Sequence, residues 1–277
     1  MKIDSLLLSG GGTKCFSFLG VFKYLFDNNI INKNFNGIKN IIAVSGGCIY
    51  IFPLLLGYSL EASIKIFKNT DLNKQFDFND ISINRLLTKF GIYKGESILI
   101  NWLELLLKYK GLKKNITLKE FYNIIPINFI VKTINITTEK ICFLNYKTHP
   151  DIPITKAIVM SCCIPIIFEP IEYKGNQYID GGLCGHYPSD YKLDSKNILG
   201  IQSTSNYLYL KKKRNKPNNI LDFLNIIYRL SENQCNKKNI ININIVDIGF
   251  NLSRNNNDIY TYLEIGFKEA QKYFNSL

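Results

Sequence analysis

Along this chain, short continuous apolar runs give way to stretches in which apolar residues recur every three or four positions, and the switch falls at glycines. Ser5 to Ser9 is such a run; it ends in Gly10-Gly11-Gly12, after which Phe16, Leu19, Val21, Phe22, Leu25 and Phe26 recur at helical spacing. That pattern predicts strand, glycine turn and helix. Ile38 to Val44 repeats it, with a β-branched run ending at Ser45-Gly46-Gly47 and an apolar helix through Leu56. A third glycine turn, Asp180-Gly181-Gly182, follows a short strand over Gln177 to Ile179.

Between the second and third turns, Ile81 to Tyr122 is expected to be mainly helical, with Leu86, Leu87 and Phe90, then Ile98, Trp102, Leu105 and Leu106, on apolar faces. Thr117-Leu118-Lys119-Glu120 has the form of a capping box. Phe129 to Thr137 and Lys140 to Tyr146 read as paired strands joined at Thr138-Glu139. Ile154 to Cys163 reads as a helix stopped by Pro165. Beyond it, Asn197 to Gln202 and Ile240 to Ile248 are expected to be strands, and Ile220 to Leu230 and Tyr260 to Phe274 helices. Such alternation predicts an α/β fold of three layers, a mostly parallel central sheet with helices on both faces. At 277 residues the chain is expected to be one domain over 1–277, with a helical lobe at about 61–125 inserted within it.

Composition changes this picture little. Hydrophobic residues make up 46% and charged residues 20%, which excludes disordered and collagen-like classes. The net charge of +12 is carried mostly by lysines dispersed among Ile and Asn, so coding bias explains it as well as a selected surface does, and a nucleic-acid partner is not expected. Lys211 to Arg214 is the compact basic run, in a segment to Asn219 expected as an exposed loop. Seven cysteines without framework spacing point to reduced thiols in a cytoplasmic protein, with no zinc site; Cys162-Cys163 reads as small apolar filler. Met1-Lys2-Ile3-Asp4 is not expected to be a secretion signal, because an acid stands where the apolar stretch should begin. Ile41 to Leu60 is long and uncharged, but Ser45-Gly46-Gly47 and Pro53 make it buried strand, turn and helix rather than a membrane span.

Two turns carry candidate chemistry. A serine on a sharp strand-to-helix turn has its oxygen lifted above the sheet, and needs small neighbours to avoid a clash; Ala43-Val44-Ser45-Gly46-Gly47 supplies that spacing. Gly10-Gly11-Gly12-Thr13-Lys14 presents backbone amides at a helix start. It lacks both the Gly-Lys-Ser/Thr ending of a nucleotide loop and the third glycine of a dinucleotide turn, because Cys15 stands there. The same amides suit an oxyanion, with Lys14 adding positive charge. A base for Ser45 is offered by Asp180 directly, or by a triad of Ser45, Asp180 and His186; His149 sits in a Thr-His-Pro loop. Trp102 with Leu105, Leu106 and Tyr109 reads as core, with an acyl channel as the alternative.

Taken together, these residues resemble the patatin-like phospholipases. Gly10-Gly11-Gly12-Thr13-Lys14 with Gly20-Val21 matches the family's glycine signature, Ala43 through Gly47 its Gly-x-Ser-x-Gly elbow, and Asp180-Gly181-Gly182 its Asp-Gly-Gly motif. Ala157, Ser161 and Ile164 to Pro170 are similar to its Ala-rich helix and Pro-x-x-Phe-x-Pro segment, and Leu263 to Phe267 to its last helix. Cys15 and Ala43 stand where the family has glycine, and His186 where it often has Asn. Both glycine substitutes are small, with an expected strain of about 1 kcal/mol. The resemblance implies a lipid acyl hydrolase with Ser45 as nucleophile, Asp180 as base, amides of Gly10, Gly11, Gly12, Thr13 and Lys14 as oxyanion hole, and no cofactor or metal. It implies a phospholipid or other acyl-lipid substrate reached at a membrane surface; the basic charge and the lysines of the Ile81 to Tyr122 lobe, interleaved with Leu, Tyr and Trp102, make that lobe the expected contact zone, with a merely solvated helical face as the alternative. The rival readings are a catalytically impaired lipid-binding protein and an acyltransferase.

Overall fold

The computed structural model describes residues 2–70, 83–93, 95–205, 239–245 and 256–277. The first glycine turn connects β1 (Ser5–Leu8) through a short 3-10 helix, Gly12–Phe16, to α1 (Ser17–Asp27). The second connects β2 (Asn40–Val44) to α2 (Gly46–Leu55). There follow α3 (Leu60–Asn69), α4 (Ile83–Lys89), β3 (Gly91–Tyr93), α5 (Gly95–Tyr109) and α6 (Leu118–Ile124). Then come β4 (Asn128–Asn135), β5 (Lys140–Leu144), α7 (Ile154–Cys162), β6 (Ile166–Phe168), β7 (Ile171–Tyr173) and β8 (Asn176–Asp180). After the third glycine turn, β9 (Ile198–Ser205), β10 (Ile240–Ile245) and α8 (Asn256–Asn275) complete the described chain. The basic run Lys211 to Arg214 and the helix expected over Ile220 to Leu230 lie outside the described residues.

Strands β10, β9, β1, β2 and β4 are successive parallel neighbours, and β5, β8 and β7 extend the sheet in antiparallel fashion. The parallel strands are apolar without alternation because both faces are covered. Leu6, Leu8, Ile41, Ala43, Phe129, Val131, Leu199 and Ile201 join the large core with α1, α2, α7 and α8. Leu7, Ile42, Ile130 and Ile240 point the other way, under Tyr187 and the partly buried Tyr191 and Leu193. The mostly parallel sheet with packed helices is the one the alternation predicts.

The stretch Ile81 to Tyr122 is not helical throughout. Gly91–Tyr93 forms β3, which pairs in parallel with β6 in a separate two-stranded sheet. The pairing brings the backbones so close that a Cβ on Gly91 would stand 2.2 Å from the Glu169 amide nitrogen. Arg85 of α4 forms an ion pair with the Glu169 carboxylate across the same junction. A three-residue edge strand has too short a pattern to stand out from flanking helices. The capping box is present, with the Glu120 amide donating to Thr117 Oγ1 at 3.2 Å and the Thr117 amide to Glu120 Oε2 at 2.9 Å. Trp102 lies in the core against Phe67, its Nε1 donating to Thr70 Oγ1. Ile41 to Leu60 is strand, turn and buried helix, and no helix among the described residues is long and apolar enough to cross a membrane.

Helix α8 closes the fold by crossing α1 at a pair of glycines. A Cβ on Gly20 would lie 2.0 Å from the Leu263 carbonyl oxygen, and one on Gly266 would lie 1.9 Å from that of Ser17. Tyr24 packs between the rings of Phe267 and Phe274 beside this crossing. Alanine has the higher helix propensity by about 1 kcal/mol, but the contact is with backbone, which cannot swing aside as a flexible side chain does. Forcing the helices apart costs on the order of 2–4 kcal/mol. Gly20→Ala and Gly266→Ala are therefore each expected to lower the urea midpoint of unfolding, and a rise in midpoint would contradict this crossing.

Candidate active site

The register of β4 brings two distant turns together. β2 runs parallel to it with Val44 opposite Lys132, whereas β8 runs antiparallel with Asp180 opposite Thr133. β5 takes one edge of β4 from Val131 to Asn135. β2 and β8 must then share the other edge, approaching from opposite directions so that their C-terminal ends meet at Lys132 and Thr133. The residue after β2 is Ser45, and the last residue of β8 is Asp180.

Ser45 turns off the strand at φ 50°, ψ −124°, a conformation unfavourable for a residue with a Cβ, and α2 starts at the next residue. Close packing holds it there. A Cβ on Gly46 would lie 2.6 Å from the Gly12 carbonyl oxygen, and one on Gly47 would lie 2.5 Å from that of Ser9, so only glycine fits at either position. Ser161 of α7 clamps the turn from below: its Oγ accepts from the Ser45 amide at 2.8 Å and donates to the Lys132 carbonyl at 2.6 Å. Ser161 entered the sequence reading only as part of a helix. The signal for its role is a hydroxyl in a helix whose other positions from Ala157 to Cys162 are apolar.

Ser45 Oγ donates to Asp180 Oδ2 at 2.7 Å, and the second carboxylate oxygen, Oδ1, accepts from the Gly182 amide at 2.7 Å. Asp180 is 1% exposed and Ser45 is 8% exposed. Burial pushes the Asp180 carboxyl from its ordinary 3.8 up to about 6; the hydrogen bonds from Ser45 and Gly182 and the positive charge of Lys132 oppose that rise without cancelling it. The carboxylate is thus a stronger base than a solvated aspartate and is still ionised at neutral pH.

The two histidines lie elsewhere in their bonding. His186 Nε2 is 3.1 Å from the Ser203 carbonyl oxygen and 3.4 Å from Gln202 Nε2, and the His186 backbone carbonyl accepts from the Gly10 amide at 2.8 Å. His149 Nδ1 contacts Thr148 Oγ1 at an exposed turn. The two carboxylate oxygens of Asp180 thus hold Ser45 on one side and Gly182 on the other.

The glycine turn after β1 lies against the elbow, as a site built on both requires. Its Gly11 and Gly12 adopt φ 149° and 56°, and Gly12 N lies 3.2 Å from where a Gly46 Cβ would stand. Of the expected amides, that of Gly10 donates to the His186 carbonyl and that of Lys14 to the Gly11 carbonyl at 3.2 Å. Cys15, buried beneath the turn, points its Sγ toward the Ser9 carbonyl at 3.6 Å and fills the space between Gly11 and Gly46. Ala43 is wholly buried in the main core. Both substitutions for glycine are thus accommodated by packing.

Fold and geometry together define an α/β protein whose serine sits on a strand-to-helix elbow, opposite a buried carboxylate and beside a glycine turn. The chain belongs to the patatin-like phospholipase family, whose family model matches residues 6–191. It is 33% identical over 187 residues, 68% of its length, to an uncharacterized protein of Acanthamoeba polyphaga mimivirus, covering 60% of that protein. It is 31% identical over 194 residues, 70% of its length, to a protein of invertebrate iridescent virus 6 described as a probable lipid hydrolase, covering 64% of it. The chain therefore spans about three fifths of the length of these relatives. Among solved structures, VipD from Legionella pneumophila superimposes with a TM-score of 0.68 at 16% identity, over 100% of this chain and 67% of that one, which shows a shared fold.

The buried carboxylate has a stability consequence whose sign is fixed. Because the folded-state pKa of Asp180 is raised, the neutral acid is the form that folding favours. That contribution is complete below the unfolded value of 3.8 and is lost as pH rises to about 6. The loss is on the order of 3 kcal/mol. Asp180→Asn, which has no charge to bury, is expected to be more stable than the wild type at pH 7.5, with the difference shrinking toward pH 4.5. Thermal melts at the two pH values check this, and a difference independent of pH would mean the carboxylate is not buried as an ion.

Proposed function

We propose that the protein is a lipid acyl hydrolase in which Ser45 is the nucleophile and Asp180 the general base. The observation that carries this reading is the 2.7 Å hydrogen bond from Ser45 Oγ to Asp180 Oδ2 at a strained strand-to-helix turn. Family membership and the lipid hydrolase description of the iridescent virus relative support the lipid ester as substrate class.

The chemistry follows from the site's charges. As Ser45 Oγ attacks the ester carbonyl, its proton passes to Asp180, and the carbonyl oxygen becomes an oxyanion. In this scheme amides of the glycine turn from Gly11 to Lys14, with the positive end of α2, stabilise that charge. Collapse breaks the bond to the alcohol, which leaves with the proton from Asp180. Water then gives a proton to Asp180 and attacks the acyl-enzyme, and release of the fatty acid returns the proton to Ser45. No step needs a metal or an organic cofactor. Because the carboxylate must be ionised to begin, kcat/KM is expected to fall below about pH 6, the direction that the raised Asp180 pKa dictates.

Variants separate this scheme from its rivals. Ser45→Ala should abolish both ester hydrolysis and fluorophosphonate labelling in a folded protein. Asp180→Asn should lower turnover by roughly 10³-fold or more, whereas His186→Ala should cost little beyond disturbance of the Gly10 turn. A folded His186→Ala protein as inactive as Asp180→Asn would replace the pair with a triad. Undiminished lipid binding without labelling of wild-type Ser45 would favour the non-hydrolytic reading, and acylated alcohol as the main product would favour the acyltransferase.

Membrane-surface action belongs to the same proposal, but its charge basis is narrower than the lysine count. Lys113 and Lys114 are paired with Glu120 and Glu104, and Lys110 Nζ donates to the Gly57 carbonyl. Vesicle sedimentation is expected to show stronger binding to anionic than to zwitterionic vesicles, with a fall as salt rises. Replacement of Lys108, Lys110, Lys113 and Lys114 by Gln should weaken it; indifference to lipid charge, salt and these changes would remove the electrostatic contact.

A further inference from the structure

Strand β4 carries a lysine in its buried interior. Alternation along the strand turns Lys132 to the face of Ile130 and Ile42, away from the main core. Its side chain is 1% exposed. An ammonium taken out of water costs several kcal/mol unless its donors are all matched. Here they are: Nζ donates to the carbonyl oxygens of Cys184 at 2.9 Å and Gly185 at 2.8 Å, and to the Asp190 carboxylate at 3.1 Å.

All three acceptors lie in the ten residues that follow Asp180. The stem of the lysine runs under the same loop, with its Cγ 3.0 Å from where a Gly181 Cβ would stand. The Lys132 carbonyl, meanwhile, is the acceptor for Ser161, which holds the Ser45 amide. One residue thus reaches the nucleophile's turn through its backbone and the loop after the base through its side chain.

We infer that Lys132 is a positioning residue for the Ser45–Asp180 pair: its ammonium draws residues 184–190 down over β4, which keeps the Gly182 amide on Asp180, and its charge favours the carboxylate over the neutral acid. The inference rests on the hydrolase reading above. The other groups around Asp180 do not supply that charge. Cys48 from α2, Cys162 from α7 and the following Cys163 are held as neutral thiols by burial, and the His186 ring is turned to Ser203. Ser45 and Gly182 contribute neutral donors. A positive charge stabilises the ionised acid, so its removal must raise the pH at which the base is lost.

The test is the rate of Ser45 labelling by a fluorophosphonate as a function of pH, on the full chain, for wild type, Lys132→Met and Asp190→Asn. In Lys132→Met the acid limb should move up by about half a unit or more, so that labelling at pH 6, as a fraction of the alkaline plateau, falls roughly twofold or more below that of the wild type. Asp190→Asn keeps the ammonium and removes its counter-charge, so its limb should move down. An unmoved limb in a folded Lys132→Met protein overturns the inference, whatever the loss of melting temperature, because loosened packing that let water reach Asp180 would move the limb down and not up. If Lys132→Met does not fold, Asp190→Asn decides: an unmoved or raised limb overturns it. Failure of wild-type Ser45 to label at any pH would instead remove the hydrolase reading itself.

Discussion

Two strand ends meet head to head on one edge of β4, and the site depends on that meeting. β2 delivers Ser45 from one direction and β8 delivers Asp180 from the other, with their partners on β4, Lys132 and Thr133, adjacent in sequence. A one-residue slip of either strand would exchange inward and outward side chains and carry the serine or the aspartate away from its partner. Packing on both faces guards against such a slip: Ile41 and Ala43 face the main core while Ile42 faces the second cluster, so a strand shifted by one residue would crowd one face and leave a gap in the other. The precision of a hydrogen bond between residues 135 apart in sequence is thus inherited from the packing of ordinary aliphatic residues.

Around this junction the chain repeatedly trades side-chain volume for closeness. Gly46 and Gly47 let the elbow touch the first glycine turn, Gly181 lies on the Lys132 carbonyl, and Gly20 and Gly266 let α1 and α8 cross backbone to backbone. At each point a methyl group would meet main-chain atoms, which are the least able to yield. Where the chain departs from glycine, at Cys15 and Ala43, the added atoms fall into buried space that accepts them. In the proposed mechanism the closeness has a chemical use, since it gathers the turn and the start of α2 around one serine.

Burial of Asp180 sets stability against reactivity. Sealing a carboxylate in the interior raises its proton affinity, which suits the proposed role of a base taking a proton from a hydroxyl, and the same burial weakens the fold as pH rises to about 6. Lys132, Gly182 and Ser45 limit the effect, so that the acid remains ionised near neutrality. The neighbouring thiols of Cys48, Cys162 and Cys163 line the space without adding charge.

Local order is what the sequence determined by itself. Glycine turns after apolar runs marked β1 to α1, β2 to α2 and the end of β8, and the Thr117 to Glu120 box marked the start of α6, because each rests on backbone geometry and spacing within a few residues. Ser45 and Asp180 were legible as candidates for the same reason, and their direct pairing was one of two arrangements the sequence offered, the one that motif resemblance favoured. Tertiary structure alone decided which partner Asp180 holds: counting left His186 available, and packing turns its ring to Ser203. It also made Ser161 a clamp, paired β3 with β6, engaged the Gly10 and Lys14 amides, and enclosed Lys132 among three acceptors. These outcomes depend on groups far apart in sequence meeting at hydrogen-bond distance. Periodicity and residue type specify which face a side chain takes, whereas the register and crossing of whole elements specify what it meets there.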